Sequence, residues 1–478
     1  MNLHRIDATT LAARIAAREV SATEAVQSAL ARIEAHNATV NAFTEVIAER
    51  ALARAASIDA AIGRGERQGP LAGVPFAAKN LFDVAGVVTL AGSIIEKRNS
   101  PATQDGFAVA AMERAGAICV GTLNMDEYAY GFTTENTHYG ACRNPHDLTC
   151  VAGGSSGGSG AAVAAGLVPI SIGTDTNGSI RVPASLCGIW GIKPTYGRLS
   201  RAGGVMFVPS LDHVGPFARS VSDLALAYEA MQGEDAGDPA QSWRGMQSVL
   251  GVLESGIAGL RIARLGGHFV RNGMDCAQQA TERVAQALGS VAVVEIANAA
   301  AGRAAAFLIT ASEGANQHLQ DLRIRADDFE PLTRDRLLAG ALLPAQWLVH
   351  AQRVRTQYRA EVMALFADWD ILIAPATPAP AMPIGQAMLE ADGQSVPLRA
   401  SFGVYTQPIS AIGLPVIAAP LQNMYGHLPI GVQLIAAPWA EDKLFRVAAE
   451  LERQGLCSAP IAPDFVTDFD PDGAGSFA

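Results

Sequence analysis

The stretch whose reading decides the fold runs from residue 153 to residue 179. It begins Gly153-Gly154-Ser155-Ser156-Gly157-Gly158-Ser159, passes through Gly160-Ala161-Ala162-Val163-Ala164-Ala165-Gly166 and Val168-Pro169-Ile170-Ser171-Ile172, and ends Gly173-Thr174-Asp175-Thr176-Asn177-Gly178-Ser179. This predicts a loop, a short buried helix stopped by a glycine, an apolar strand and a glycine-containing turn. Alone, the Gly/Ser run would suit a flexible linker or a phosphate cradle at a helix start. It lacks the lysine of a nucleotide-binding loop, because Gly158-Ser159 stands where Gly-Lys is needed. The apolar helix that follows argues against a linker. Further short apolar runs at 74–78, 117–123, 260–265, 370–374 and 430–435 predict strands, and 276–288 predicts a helix. The first fifty residues read as helices. Ser21-Ala22-Thr23-Glu24 forms a capping-box pattern ahead of Val26, Leu30 and Ile33 at helical spacing. Strands alternating with helices imply a layered α/β fold with helices on both sheet faces. The polar stretch 234–247 is expected to be a surface loop.

Three residues in this framework carry chemistry. Lys79 closes the apolar run Gly73-Val74-Pro75-Phe76-Ala77-Ala78-Lys79, and Ser155 and Ser179 lie 24 residues apart in the two glycine-containing loops. A serine hydroxyl is a poor nucleophile at neutral pH unless a base takes its proton. Lysine can serve only when neutral, which an apolar cradle favours by lowering its pKa. Ser155 suits a relay, since a hydroxyl both donates and accepts. Backbone N–H groups of Thr176, Asn177, Gly178 and Ser179 could hold a tetrahedral oxyanion.

Composition narrows the class. The chain has 478 residues, 49% hydrophobic and 17% charged, with no uninterrupted apolar run long enough to span a bilayer and no signal-peptide core at Met1-Asn2-Leu3-His4-Arg5-Ile6-Asp7. A cytoplasmic enzyme is expected, without membrane attachment. A net charge of −11 argues against direct nucleic-acid binding. Six irregularly spaced cysteines suit reduced thiols. His138, Cys142, His146 and Cys150 recur every fourth residue, but Pro145 after Asn144 interrupts the helix that would align them on a metal. Neither metal nor cofactor is expected. A catalytic region is expected over 61–460, after a helical segment at 1–60 and before a tail at 461–478.

The conjunction of 73–79, 153–159 and 173–184 resembles the amidase signature family. Gly191-Ile192-Lys193-Pro194-Thr195-Tyr196-Gly197-Arg198, Asp212-His213-Val214-Gly215-Pro216, Pro375-Ala376-Thr377-Pro378 and Gly431-Val432-Gln433-Leu434 resemble its further blocks. The resemblance spans residues 71–437. It implies an α/β/α sandwich around one large mixed sheet, with Lys79 as base, Ser179 as nucleophile and Ser155 as bridging serine behind a cis Gly154–Ser155 bond. Asn177 stands where many members carry a second glycine, which reads as substrate selection; its bland reading is a turn residue.

Two branches resemble this chain. One is the glutaminase component of glutamyl-tRNA amidotransferase (its A chain type), and the other is the biuret or 1-carboxybiuret hydrolases of s-triazine (cyanuric acid) degradation. In the first branch an arginine holds the glutamine carboxylate, and Arg355 is aligned with it; the aspartate that holds the ammonium is replaced by Gly403. An anion clamp without its cation partner suits a carboxylated ureide, and a surface arginine is the competing reading of Arg355. His318, Tyr128 and Asp126 are further pocket candidates, each also readable as a structural hydrogen-bonding residue. Both branches imply an oligomer with a small accessory subunit resembling the amidotransferase C subunit. The alternatives are a glutaminase of the amidotransferase, an amidase for another ureide, or a non-catalytic scaffold; nucleotide binding ranks last.

Overall fold

In the computed structural model, which describes residues 2–466, the apolar runs assemble into one mixed sheet of eleven strands. In chain order these are β1 (Phe43–Val46), β2 (Pro75–Lys79), β3 (Ile118–Leu123), β4 (Ile170–Asp175), β5 (Trp190–Lys193) and β6 (His213–Ala218). Then come β7 (Ile262–Leu265), β8 (Val293–Val294), β9 (Ile371–Pro375), β10 (Val416–Tyr425) and β11 (Leu428–Ala436). Their order across the sheet is β1-β3-β2-β4-β6-β5-β10-β11-β9-β7-β8. β2 runs parallel to β3 and β4, β7 runs parallel to β8 and β9, and the middle of the sheet is antiparallel.

Every residue of β2, β4, β6, β9 and β11 is buried, so both faces of the sheet are covered. Alternation then sorts side chains between two cores. Along β9, Ile371 and Ile373 enter the larger core, while Leu372 and Ala374 enter a second one with Tyr358 and Val362 of helix Ala345–Leu365. The other face is packed by helices such as Asp275–Ala287 and Glu441–Arg453, through Val284, Leu444 and Leu451. The α/β/α sandwich expected from the resemblance is the fold observed.

The helix Ala22–Val40 starts at the expected capping box: Glu24 N–H donates to Ser21 Oγ at 3.0 Å, and Ser21 N–H donates to Glu24 Oε2 at 2.8 Å. Residues 2–60 also supply edge strand β1, which pairs with β3, and the N–H groups of Ala8 and Thr9 donate to Asp223. Most of the expected tail at 461–478 lies outside the described residues. Strands β5, β6 and β10 are not legible in the sequence. Gly191, Gly215-Pro216 and Pro420 interrupt their apolar patterns, and pairing within the sheet overrides those weak local preferences.

Candidate active site

Lys79 ends β2, fully buried, because its strand lies between β3 and β4 and its aliphatic stem continues the apolar run. Its ammonium nitrogen lies 2.7 Å from Ser155 Oγ and 2.9 Å from Thr174 Oγ1. Burial pushes the Lys79 amine down to about 7, against the opposing pull of Asp126, Asp212 and Asp175. An unshifted lysine is almost wholly charged at pH 7, and burial moves this one toward its neutral form.

Ser155 follows a cis Gly154–Ser155 peptide bond and is fully buried. The other serines of its loop act as clamps: Ser156 Oγ donates to Thr174 O at 3.2 Å and Ser159 Oγ to Ile172 O at 3.1 Å, stitching the loop to β4. Gly154 leaves no room for a side chain, since a Cβ there would lie 2.1 Å from Asp126 Oδ2.

The turn after β4 is held by Asp175. Its carboxylate pairs bidentately with Arg181 at 2.9 Å and accepts the Gly178 N–H at 2.7 Å. Burial alone would raise the Asp175 carboxyl; the Arg181 guanidinium outweighs it and holds it below the usual carboxylate range. The Gly178 N–H is therefore committed, while no protein acceptor among the described residues takes the N–H groups of Thr176, Asn177 or Ser179. Thr176 Oγ1 donates to Asp212 Oδ1 at 2.6 Å, and burial pushes that carboxyl up to about 6.

Ser179 opens onto a cavity of about 290 Å³, whose walls include Thr176, Asn177, Thr310, Arg336, Arg399 and Gln407. Lys79 and Ser155 do not line it and are fully buried. Arg336 stacks its guanidinium over Tyr130, 3.9 Å from the ring centroid, and donates to Tyr130 O. Among the described residues it has no carboxylate within ion-pair distance. Arg399 donates to Asp126 Oδ1 at 3.1 Å, with Glu330 3.5 Å away.

The sequence candidates divide on this geometry. Ser179 and Asn177 line the cavity, while Lys79 and Ser155 lie together in the buried interior, 2.7 Å apart. Arg355 does not reach it. Its guanidinium donates to Ala411 O at 2.6 Å and Ser210 O at 3.0 Å, tying its helix to two loops. The preceding helix, Pro331–Ala341, carries the arginine that does reach the cavity, Arg336. Arginines dot both helices, and only their packing shows which one points inward. Tyr128 and His318 stack on each other, 3.9 Å between ring centroids, away from the cavity lining. Tyr128 also donates to Glu96, and burial lowers the His318 pKa to about 4. Asp126 sits behind the wall, supporting Arg399 and accepting the Thr134 N–H. Gly403 is wedged where a Cβ would lie 2.6 Å from Phe132 and 3.1 Å from Gln407. His138, Cys142, His146 and Cys150 do not converge: His138 faces Glu127, and His146 faces Cys187 O. No group of three or more His, Cys, Asp or Glu among the described residues could hold a metal.

A serine at the wall of a small cavity, on a turn with unused N–H groups, and a buried lysine with a lowered pKa are the kinds of group that amide cleavage needs. Comparison with known proteins makes the class specific: residues 24–445 match the Amidase family model, and the chain belongs to the amidase signature family of amidohydrolases. It is 55% identical over 443 residues to AtzE, a component of the 1-carboxybiuret hydrolase of Pseudomonas sp. (strain ADP), covering 92% of this chain and 97% of that protein. It is 39% identical over 483 residues to the A-type component of the glutamyl-tRNA(Gln) amidotransferase of Anaeromyxobacter dehalogenans (strain 2CP-C), covering 94% and 96%. Among solved structures it superposes with a TM-score of 0.94 and 54% identity, over 95% and 100% of the two chains, on an inhibitor-bound complex. That structure is described as a vestigial protein complex revealing the evolutionary origins of an s-triazine catabolic enzyme.

Proposed function

We propose that this amidohydrolase cleaves a small carboxylated ureide of the 1-carboxybiuret type, releasing ammonia. The observation that carries the reading is Arg336, a guanidinium with no carboxylate partner among the described residues, on the same 290 Å³ cavity as Ser179. Arg336 Nε and Nη2 donate to Leu332 O and Tyr130 O, and Nη1 is the nitrogen left to meet a substrate carboxylate. A glutamine substrate would also need an anion for its ammonium; Gly403 supplies none, and Asp335 is the one carboxylate lining the cavity among the described residues.

In this reading each group takes a step. Ser179 Oγ attacks the terminal carbonyl carbon while its proton passes through Ser155 to neutral Lys79. The N–H groups of Thr176, Asn177 and Ser179 take the oxyanion. As the tetrahedral intermediate collapses, the C–N bond breaks, and the proton returns by the same route to the departing nitrogen, which leaves as ammonia. Water then attacks the acyl-enzyme, its proton again held by Lys79, and the carboxylic product departs with Ser179 restored.

Two further readings accompany this one. The 55% identical relative is named as one component of its hydrolase, and the superposed structure is described as a complex, which supports a heteromeric assembly with a small accessory chain. Six buried free thiols suit a reducing cytoplasm, and no helix among the described residues is long and apolar enough to cross a membrane.

The test is ammonia release from 1-carboxybiuret, biuret, glutamine, malonamide and oxalurate, with and without a co-expressed small accessory chain. A preference for 1-carboxybiuret that Arg336→Met removes through KM is the expected result. A preference for glutamine moves the protein to the ammonia-supplying components of amidotransferases.

A further inference from the structure

Asn177 and Gln407 both line the cavity, and in each side chain one half of the amide is tied back into the protein. Asn177 Nδ2 donates to Thr310 Oγ1 at 2.8 Å, on helix Ala299–Gln317. Its Oδ1 has no hydrogen-bond partner although the residue is only 7% exposed. A buried carbonyl oxygen without a donor costs free energy, and native proteins keep such atoms rarely. Gln407 is held the opposite way. Arg303 Nε donates to Gln407 Oε1 at 2.8 Å, and because a guanidinium has no acceptor, the glutamine must turn its NH2 group away from it. Gln407 lines the cavity beside Asn177 and Ser179.

The two side chains are locked in register. Thr406 Oγ1 donates to Asn177 O at 2.6 Å, and Arg181, itself paired with Asp175, donates to Thr406 O at 3.2 Å. Gly178 permits this approach: it holds φ of +142°, and a Cβ there would lie 2.4 Å from Thr406 Oγ1. The segment carrying Gln407 is thus fastened to the turn carrying Asn177 and Ser179.

We propose that Asn177 and Gln407 read the ureide itself: Asn177 Oδ1 accepts the N–H next to the scissile carbonyl, and Gln407 Nε2 donates to the carbonyl beyond it. This rests on the ureide reading above and deepens it, because it names the atoms that separate an acyl urea from a plain amide. Asn177 stands two residues before Ser179, on the same turn, and both line the cavity. Thr310 and Arg303 are positioning residues that fix which end of each amide faces the substrate.

Biuret and malonamide isolate the contact. They have the same number of heavy atoms and both terminal amides, but malonamide replaces the bridging N–H by CH2. The measurement is kcat/KM for both, in the native enzyme and in Asn177→Ala, Thr310→Val, Thr310→Ser and Gln407→Leu. The native enzyme should favour biuret, and the biuret-to-malonamide ratio should fall about tenfold or more in Asn177→Ala, since a site built around an N–H strongly rejects an analogue lacking it. Thr310→Val should lower the ratio in the same direction and Thr310→Ser should restore it. Gln407→Leu should weaken both substrates and leave the ratio in place, because both carry the second carbonyl. A native preference for biuret that survives unchanged in Asn177→Ala and Thr310→Val overturns this assignment and leaves the ureide reading standing. A native preference for malonamide overturns both.

Discussion

The floor of the site and its mouth are built on opposite terms. Lys79, Ser155, Thr174, Asp175 and Arg181 form the floor; all are buried, and every bond described for them closes within the protein. The mouth comes from helices Ala299–Gln317 and Pro331–Ala341 and the segment 397–407, with Phe307 and Leu332 half exposed. There, among the described residues, Asn177 Oδ1 and Arg399 Nε remain without partners, and Arg336 has no carboxylate within ion-pair distance, though Asp126 and Glu330 act on it from further away. A floor that satisfies its own polar groups is organised before substrate arrives, which is what transition-state stabilisation requires. A mouth that leaves polar atoms open has its requirements completed by a ligand. Reaction type belongs to the floor and substrate choice to the mouth.

That division can be broken in several places. The largest effect should come from the floor: Ser179→Ala and Lys79→Ala should each lower kcat by roughly 10⁴-fold or more, because in the proposed mechanism nucleophile, bridge and base act as one unit. Ammonia release by protein shown to be folded measures this; near-normal turnover in Lys79→Ala would remove the lysine from its role. Next is Asp175→Asn, which leaves Arg181 as a buried charge with a weakened partner. It should cost about 3–5 kcal/mol in stability, read from the denaturant midpoint. At the mouth, Arg336→Met should raise KM for a carboxylated ureide by about 10- to 100-fold, equivalent to a charged hydrogen bond of about 1.5–3 kcal/mol. Arg355→Met should instead lower the melting temperature and leave KM close to native, since its bonds tie a helix to loops.

A pH profile sharpens the same contrast. Burial lowers the Lys79 pKa to about 7, and in the proposed mechanism the neutral amine is the active form. Activity should therefore fall about tenfold per pH unit below pH 7 and level off above it. In Arg336→Met the same acid limb should persist, because the mouth does not set the protonation state of the floor. The smallest effect lies far from both: Ser21→Ala removes a helix cap and should cost about 1 kcal/mol without changing turnover.

Legibility in the sequence follows the same line. Lys79, Ser155 and Ser179 stand out because each sits in a glycine-containing or apolar motif whose local chemistry is unusual. Thr174, 2.9 Å from Lys79, lies inside one of those motifs but carries no signal of its own. Its role depends on β2 and β4 lying side by side. Arg355 reads as the clamp and Arg336 does not, because both lie on arginine-containing helices and spacing does not show which faces the cavity. His318 and Tyr128 are plausible ligand contacts by type, and instead they meet each other. Gln407 and Thr310 belong to no motif at all.

By itself the sequence determined the layered α/β architecture, the family resemblance, and the serine and lysine residues expected to do the chemistry. These are encoded in apolar periodicity and in short runs whose glycines and serines admit few backbone conformations. Tertiary structure decided what no local run can hold: that burial between neighbouring strands lowers the lysine pKa, that Asp175 claims the Gly178 N–H, and that segments far apart in the chain bring Asn177, Arg336 and Gln407 to one cavity. Burial and long-range hydrogen bonding depend on which surfaces meet, and that is settled only when the whole chain packs.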